Sequence, residues 1–350
     1  MKKSALFILL FVLLALAACG AEDTDNGDAL EETDTKDATE DNEKLEIFTT
    51  VYPLTYFTER IGGDQVDVTS VYPAGANEHT FEPTQQDMIA IAEADLMLYI
   101  GLGLEGFMES AKSTLDGEEV EFAALADSIT DEQLVAALAH DAARESEDDH
   151  DDHADEDAHD EDEEHAEESG HEDHDHGSTD PHIWMSPQLS QNLADSIKDS
   201  LIAEDPDNAE LYETNHAELI AELEELDQSF SQLQEQVTKD TFFVSHAAFT
   251  YLSEPYGFEQ VAVAGLNSQD EPSQKELTQI VDLAREKNIE YIVFEQNVSS
   301  NLTEVVQKEV GAEAVQMHNL GVLTQEDIDN GETYFTLMAK NLEVLKTILN

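Results

Sequence analysis

Residues 208–237 read NAELYETNHAELIAELEELDQSFSQLQEQV. Leu219, Leu223, Leu226, Phe230, Leu233 and Val237 recur at helical spacing, which lines up one apolar stripe and predicts a single long helix. On both sides of it the pattern alternates between short β-rich runs and amphipathic segments. Before it, strands are expected over 45–54, 66–75, 95–101 and 120–125, with helices near 56–63, 84–94, 104–115 and 187–204. After it, strands are expected over 241–246, 259–266, 289–297 and 312–317, with helices over 247–254, 273–287, 301–310 and 331–349. The run DLMLYIG (95–101) is almost continuously apolar, as in a parallel strand covered on both faces. Alternation on either side of one helix predicts an α/β fold. It would have two lobes (45–207 and 238–350), with parallel-type sheets flanked by helices, joined by the helix 208–237 across a cleft.

The chain begins differently. Lys2 and Lys3 precede the apolar run Ala5–Ala18, which closes on Leu16-Ala17-Ala18-Cys19. A basic start, a short apolar stretch and small residues before a cut make a secretory signal over residues 1–18. The run is too short to span a bilayer as a helix. Leu-Ala-Ala-Cys looks like a bacterial lipobox, which implies lipidation of Cys19 and a chain tethered to the outer face of the cytoplasmic membrane. Residues 19–44 are acidic and without apolar periodicity, as in a flexible tether. Cys19 is the one cysteine, so an internal disulfide and a cysteine-based zinc site are both excluded. The formal charge is −66, from 15 basic and 81 acidic residues. It argues against nucleic-acid binding and against adsorption to anionic lipid. A high-salt habitat, where screening weakens self-repulsion, would account for it.

Between Glu145 and His176 there is no Lys or Arg and almost nothing but Asp, Glu, His, Ala, Ser and Gly. Such a segment has no apolar face to bury, so a disordered loop is expected over 140–179. Seven histidines recur in it: His150, His153, His159, His165, His171, His174 and His176. Imidazole favours Zn, Ni and Cu, and carboxylates concentrate cations. The loop therefore reads as an auxiliary metal collector, against the plainer reading of a solvated linker.

In open parallel sheets, ligands bind beyond the carboxyl ends of the strands. His79 follows strand 66–75, His182 precedes helix 187–204, His246 ends strand 241–246, and Glu295 lies near the end of strand 289–297. Three imidazoles and a carboxylate suit tetrahedral Zn²⁺. Taken singly, a histidine at a strand end also serves as a cap or core residue, and Glu295 could pair with a lysine.

Four stretches carry a resemblance that covers the mature chain: GANEHTFEPT (75–84), DPHIWMSP (180–187), SHAAFTYL (245–252) and YIVFEQNVSS (291–300). With the His-rich insertion and the lipobox, the chain resembles the ZnuA/AdcA-like zinc-binding lipoproteins of bacterial ABC importers. The resemblance implies two four-stranded α/β lobes joined by a rigid helix, with a metal site in the cleft and a small lobe shift or loop ordering on closure. It places the metal ligands on His79, His182, His246 and Glu295, with Glu78 or a water as alternatives for the fourth position. Manganese-binding relatives typically carry Glu where this chain has His246, which favours zinc. The implied partners are Zn²⁺, a membrane ABC permease and the membrane itself through the lipid on Cys19, with the protein acting as a monomer. Competing readings are a surface adhesin, a zinc buffer and a zinc hydrolase; no HExxH motif or nucleophile elbow supports the last.

Overall fold

The apolar runs form two parallel four-stranded sheets in the computed structural model, which describes residues 44–138, 179–298 and 301–350. The signal segment, Cys19 and the seven loop histidines lie outside the described residues. In the first sheet, β1 (Leu45–Thr49), β2 (Val66–Ser70), β3 (Leu96–Tyr99) and β4 (Glu121–Ala124) lie in the order β2-β1-β3-β4. In the second, β5 (Thr241–His246), β6 (Glu259–Ala264), β7 (Tyr291–Phe294) and β8 (Glu313–Gln316) lie in the order β6-β5-β7-β8. The same order twice, parallel throughout, makes the two lobes topological copies. The first strand of each lobe is interior to its sheet, so β1 and β5 each end between two neighbouring strands, where ligands of parallel sheets bind.

Helices alternate with the strands: α1 (Tyr52–Gly62), α2 (Gln85–Ala92), α3 (Met108–Thr114) and α4 (Asp131–Ala136) in the first lobe. Then come α5 (Pro187–Glu204) and the long α6 (Ala209–Ser231). The second lobe adds α7 (Thr250–Ser253), α8 (Gln274–Glu286), α9 (Asn301–Val310), α10 (Gln325–Asn330) and α11 (Tyr334–Ile348). Local chemistry sets several starts. The Ser186 hydroxyl accepts from the Leu189 N–H, with Pro187 in the first turn of α5. Reciprocal capping boxes open α2 (Thr84 and Asp87), α8 (Ser273 and Glu276) and α11 (Thr333 and Thr336).

The predicted stripe of α6 is buried at Leu219, Leu223, Leu226 and Phe230. The helix has 23 residues, about 35 Å at 1.5 Å rise, and a short 3₁₀ turn at Gln234–Gln236 carries the chain on toward β5. One continuous core takes in the first lobe, α5, α6, α11 and part of β5 and β7. A second, smaller cluster (Phe243, Val263, Val281, Ala284, Ile292, Val306 and Ala312) lies under α8 and α9. Helix α11, expected as part of the second lobe, also packs on the first. The Tyr334 ring meets Phe57 edge-on at 4.9 Å between centroids, and its hydroxyl donates to the Trp184 carbonyl at 2.9 Å. Contacts of α11 therefore add to the linking helix in tying the lobes together, which favours small relative motions.

Candidate metal centre

Three of the four strand-end candidates meet. His79 sits on the loop after β2, where its backbone N–H donates to the Asn77 side-chain oxygen at 3.0 Å in a tight Asx turn. His182 lies just ahead of a 3₁₀ turn, Ile183–Met185, that leads into α5. His246 is the last residue of β5. One ligating atom from each of the three lies within 4.8 Å of the others. His79 Nε2 and His182 Nε2 are 3.2 Å apart. Two nitrogens bound to one tetrahedral Zn²⁺ at about 2.0–2.1 Å would stand about 3.3 Å apart. The rings are steeply inclined to each other, with centroids 5.2–5.5 Å apart. They surround a point rather than stack.

Two of the three imidazoles are held from behind. Asp180 Oδ1 accepts from His182 at both Nδ1 (2.7 Å) and the backbone N–H (2.9 Å). The Glu295 carboxylate accepts from His246 Nδ1 at 2.8 Å, from its backbone N–H at 3.2 Å and from Ser245 Oγ at 2.6 Å. A carboxylate on Nδ1 fixes the tautomer and turns the Nε2 lone pair toward the focus. His246 Nε2 is buried with no hydrogen-bond partner among the described residues, an arrangement that a metal ion would satisfy. His182 and His246 are fully buried, whereas His79 is partly exposed.

Neither carboxylate joins the three-histidine group. Glu295 lies on the Nδ1 side of His246. Glu78 accepts from Asn319 Nδ2 through Oε1 at 2.9 Å, while its Oε2 is buried with no partner among the described residues. A Cβ on Gly321 would stand 2.6 Å from Glu78 Oε1, so glycine there makes room for this carboxylate. Burial pushes the Glu78 carboxyl above its ordinary value. Burial and the two facing imidazoles lower His79 to about 3, so it is neutral and able to ligate at physiological pH. Burial disfavours charge on both His246 and Glu295, but their mutual attraction prevails, raising the imidazole and lowering the carboxyl. Asp180, Ser245 and Asn319 were not singled out from sequence. The Asp180-Pro181-His182 spacing was a visible signal for the first of them.

The profile of the family described as the periplasmic component A of a zinc-uptake complex, ZnuA, matches residues 47–348. The chain belongs to the ZnuA family. As a member it is a binding component of a transport system and not an enzyme. It is 34% identical over 348 residues to the high-affinity zinc uptake system protein ZnuA of Bacillus subtilis, covering 99% of this chain and 98% of that one. It is 32% identical over 346 residues to the zinc-binding lipoprotein AdcA of Streptococcus pneumoniae. There it covers 99% of this chain and spans 61% of AdcA's length. The crystal structure of the Zn(II)-bound ZnuA-like domain of pneumococcal AdcA superposes with a TM-score of 0.65 at 30% identity, covering 87% of this ZnuA-family chain and 99% of that domain.

Proposed function

We propose that this chain captures Zn²⁺ outside the bacterial cytoplasmic membrane and delivers it to an ABC permease, as a protein anchored through a lipid on Cys19. The observation that carries the reading is the convergence of three imidazoles from separate segments, two with carboxylates on Nδ1. His79, His182 and His246 bind the ion through nitrogen, a donor set that suits Zn²⁺. Glu295 serves as the anchor of His246, because its oxygens already accept from His246, Ser245 and Asn319. The fourth position falls to Glu78 or a water. The His-rich loop collects zinc at several weaker sites, since it lacks the packed surroundings that preorganise a tight one.

Zinc titration of the mature chain and of a 145–176 deletion tests this reading. Both should hold one tight Zn²⁺ site, and the deletion should lower total capacity without weakening that site. Cells carrying the deletion should grow poorly mainly when zinc is scarce. A deletion protein without a tight site would overturn the assignment of the three histidines.

The site also predicts a proton count. Glu295 raises His246 above the usual imidazole value against the effect of burial, so the metal-free imidazole keeps its proton to higher pH than an ordinary one, and zinc must displace that proton where it is bound. Affinity should then rise with pH up to the His246 pKa, with up to about one proton released per ion from this residue. His79, already neutral, contributes none. Calorimetry of the deletion protein near neutral pH, in buffers of different ionisation enthalpy, measures the release. A buffer-independent enthalpy would show that zinc binding displaces no proton from His246.

A further inference from the structure

The loop that follows β8 holds a buried asparagine whose bonds reach both lobes. Asn319 Nδ2 donates to Glu78 Oε1 at 2.9 Å and to Glu295 Oε2 at 3.1 Å. Its Oδ1 accepts from the Gly321 N–H at 3.0 Å, and its backbone carbonyl accepts from Trp184 Nε1 at 2.7 Å. The loop itself is stitched to the first lobe by the Tyr52 N–H on the Gly321 carbonyl and the Gly75 N–H on the Leu323 carbonyl, each at 2.9 Å. Glu78 adjoins His79 on the first lobe, and Glu295 anchors His246 on the second.

An amide nitrogen has two hydrogens, so one side chain can serve two acceptors at once. Asn319 does so with both carboxylates beside the histidine group. It is a neutral donor, and it bonds two buried carboxyl groups without adding charge. An aspartate in its place would keep the shape and the bond from Gly321, but would turn a third acceptor toward the other two. Alanine would leave both carboxylate oxygens without this donor.

We propose that Asn319 is a positioning residue of the metal centre: its amide fixes Glu78 and Glu295 to each other, and so holds His79 and His246, one from each lobe, at ligating separation. This rests on the zinc reading above. It adds a residue that binds the two carboxylates rather than the ion or the three histidines, and acts on both halves of the site together.

The molecule carries its own reporter. Its one tryptophan, Trp184, donates to the Asn319 backbone and lies 5.3 Å from the His182 ring, centroid to centroid. Substitution of the Asn319 side chain leaves that backbone acceptor in place. Zinc should be titrated into the mature chain, Asn319→Asp, Asn319→Ala and His182→Ala, with Trp184 emission and chelator competition as readouts. Melting is followed with and without zinc. Both Asn319 variants should keep one tight site but bind at least about tenfold more weakly, as expected for a group that orients a ligand. The increase in melting temperature produced by zinc should shrink accordingly. A purely structural asparagine would lower the melting temperature of the metal-free protein and leave zinc affinity unchanged. Wild-type affinity in both variants, or failure of both to fold, overturns the proposal. Absence of a tight site in the wild type, or its indifference to His182→Ala, would instead count against the zinc reading itself.

Discussion

Replacing His182 with alanine should weaken the tight zinc site by more than about 100-fold, since loss of a group that merely orients a ligand typically costs about 10–100-fold. The imidazole is fully buried, and Asp180 holds it at two points, Nδ1 and the backbone N–H. Its Nε2 stands 3.2 Å from that of His79. Removing the ring leaves a gap where a donor was preorganised, and the neighbouring rings cannot close on the ion without shifting both lobes' strand ends. Asp180 would keep the backbone N–H but lose the Nδ1 donor, which adds a cost to the metal-free state. Chelator competition measures the affinity, and His216→Ala, on α6 beside Asp195 of α5, serves as the control that should bind as the wild type does. Undiminished affinity in His182→Ala would remove this residue from the site.

Phe230→Ala should lower stability by about 3–5 kcal/mol, the usual cost of deleting a buried aromatic ring. For a chain of this size that is roughly a ten-degree drop in melting temperature. Phe230 closes the buried stripe of α6 and stacks on Tyr256 at 5.6 Å between centroids. The Tyr256 hydroxyl in turn donates to Asp227 on α6 at 2.7 Å. The ring thus fastens the linking helix to the second lobe, away from the histidines. Zinc affinity of the folded variant should stay close to wild type, because no group that holds a candidate ligand is touched. An unchanged unfolding midpoint would show that the helix does not tie the lobes as its packing implies.

The position of most elements follows from local rules. The expected spans of α5, β5 and α9 coincide with those observed, Pro187–Glu204, Thr241–His246 and Asn301–Val310. Caps and polar flanks mark their ends sharply. Strand β2 was expected through 75 and stops at Ser70. Val71 and Tyr72 are buried beyond its end, where the Val71 N–H still donates to the Thr49 carbonyl of β1 at 2.8 Å, and hydrophobicity alone does not separate burial from strand pairing. Helices α4 and α10 were absent from the expectation, although each opens with a legible capping box, Thr130 with Gln133 and Thr324 with Asp327. Each is only six residues long, too short to build a periodic apolar signal.

The same division runs through the site. By itself the sequence determined two α/β lobes joined by a long helix, and histidines at the carboxyl ends of strands, because strand and helix periods and their terminators are written within a few residues. The tertiary structure decided which groups face one another. Glu295 reaches His246 across 49 positions because β5 and β7 are neighbours in one sheet. Asn319 reaches Glu78 across 241 because the loop after β8 lies against the first lobe. Whether a buried carboxylate meets the Nδ1 or the Nε2 side of an imidazole depends on that packing, and no local pattern of residues carries it.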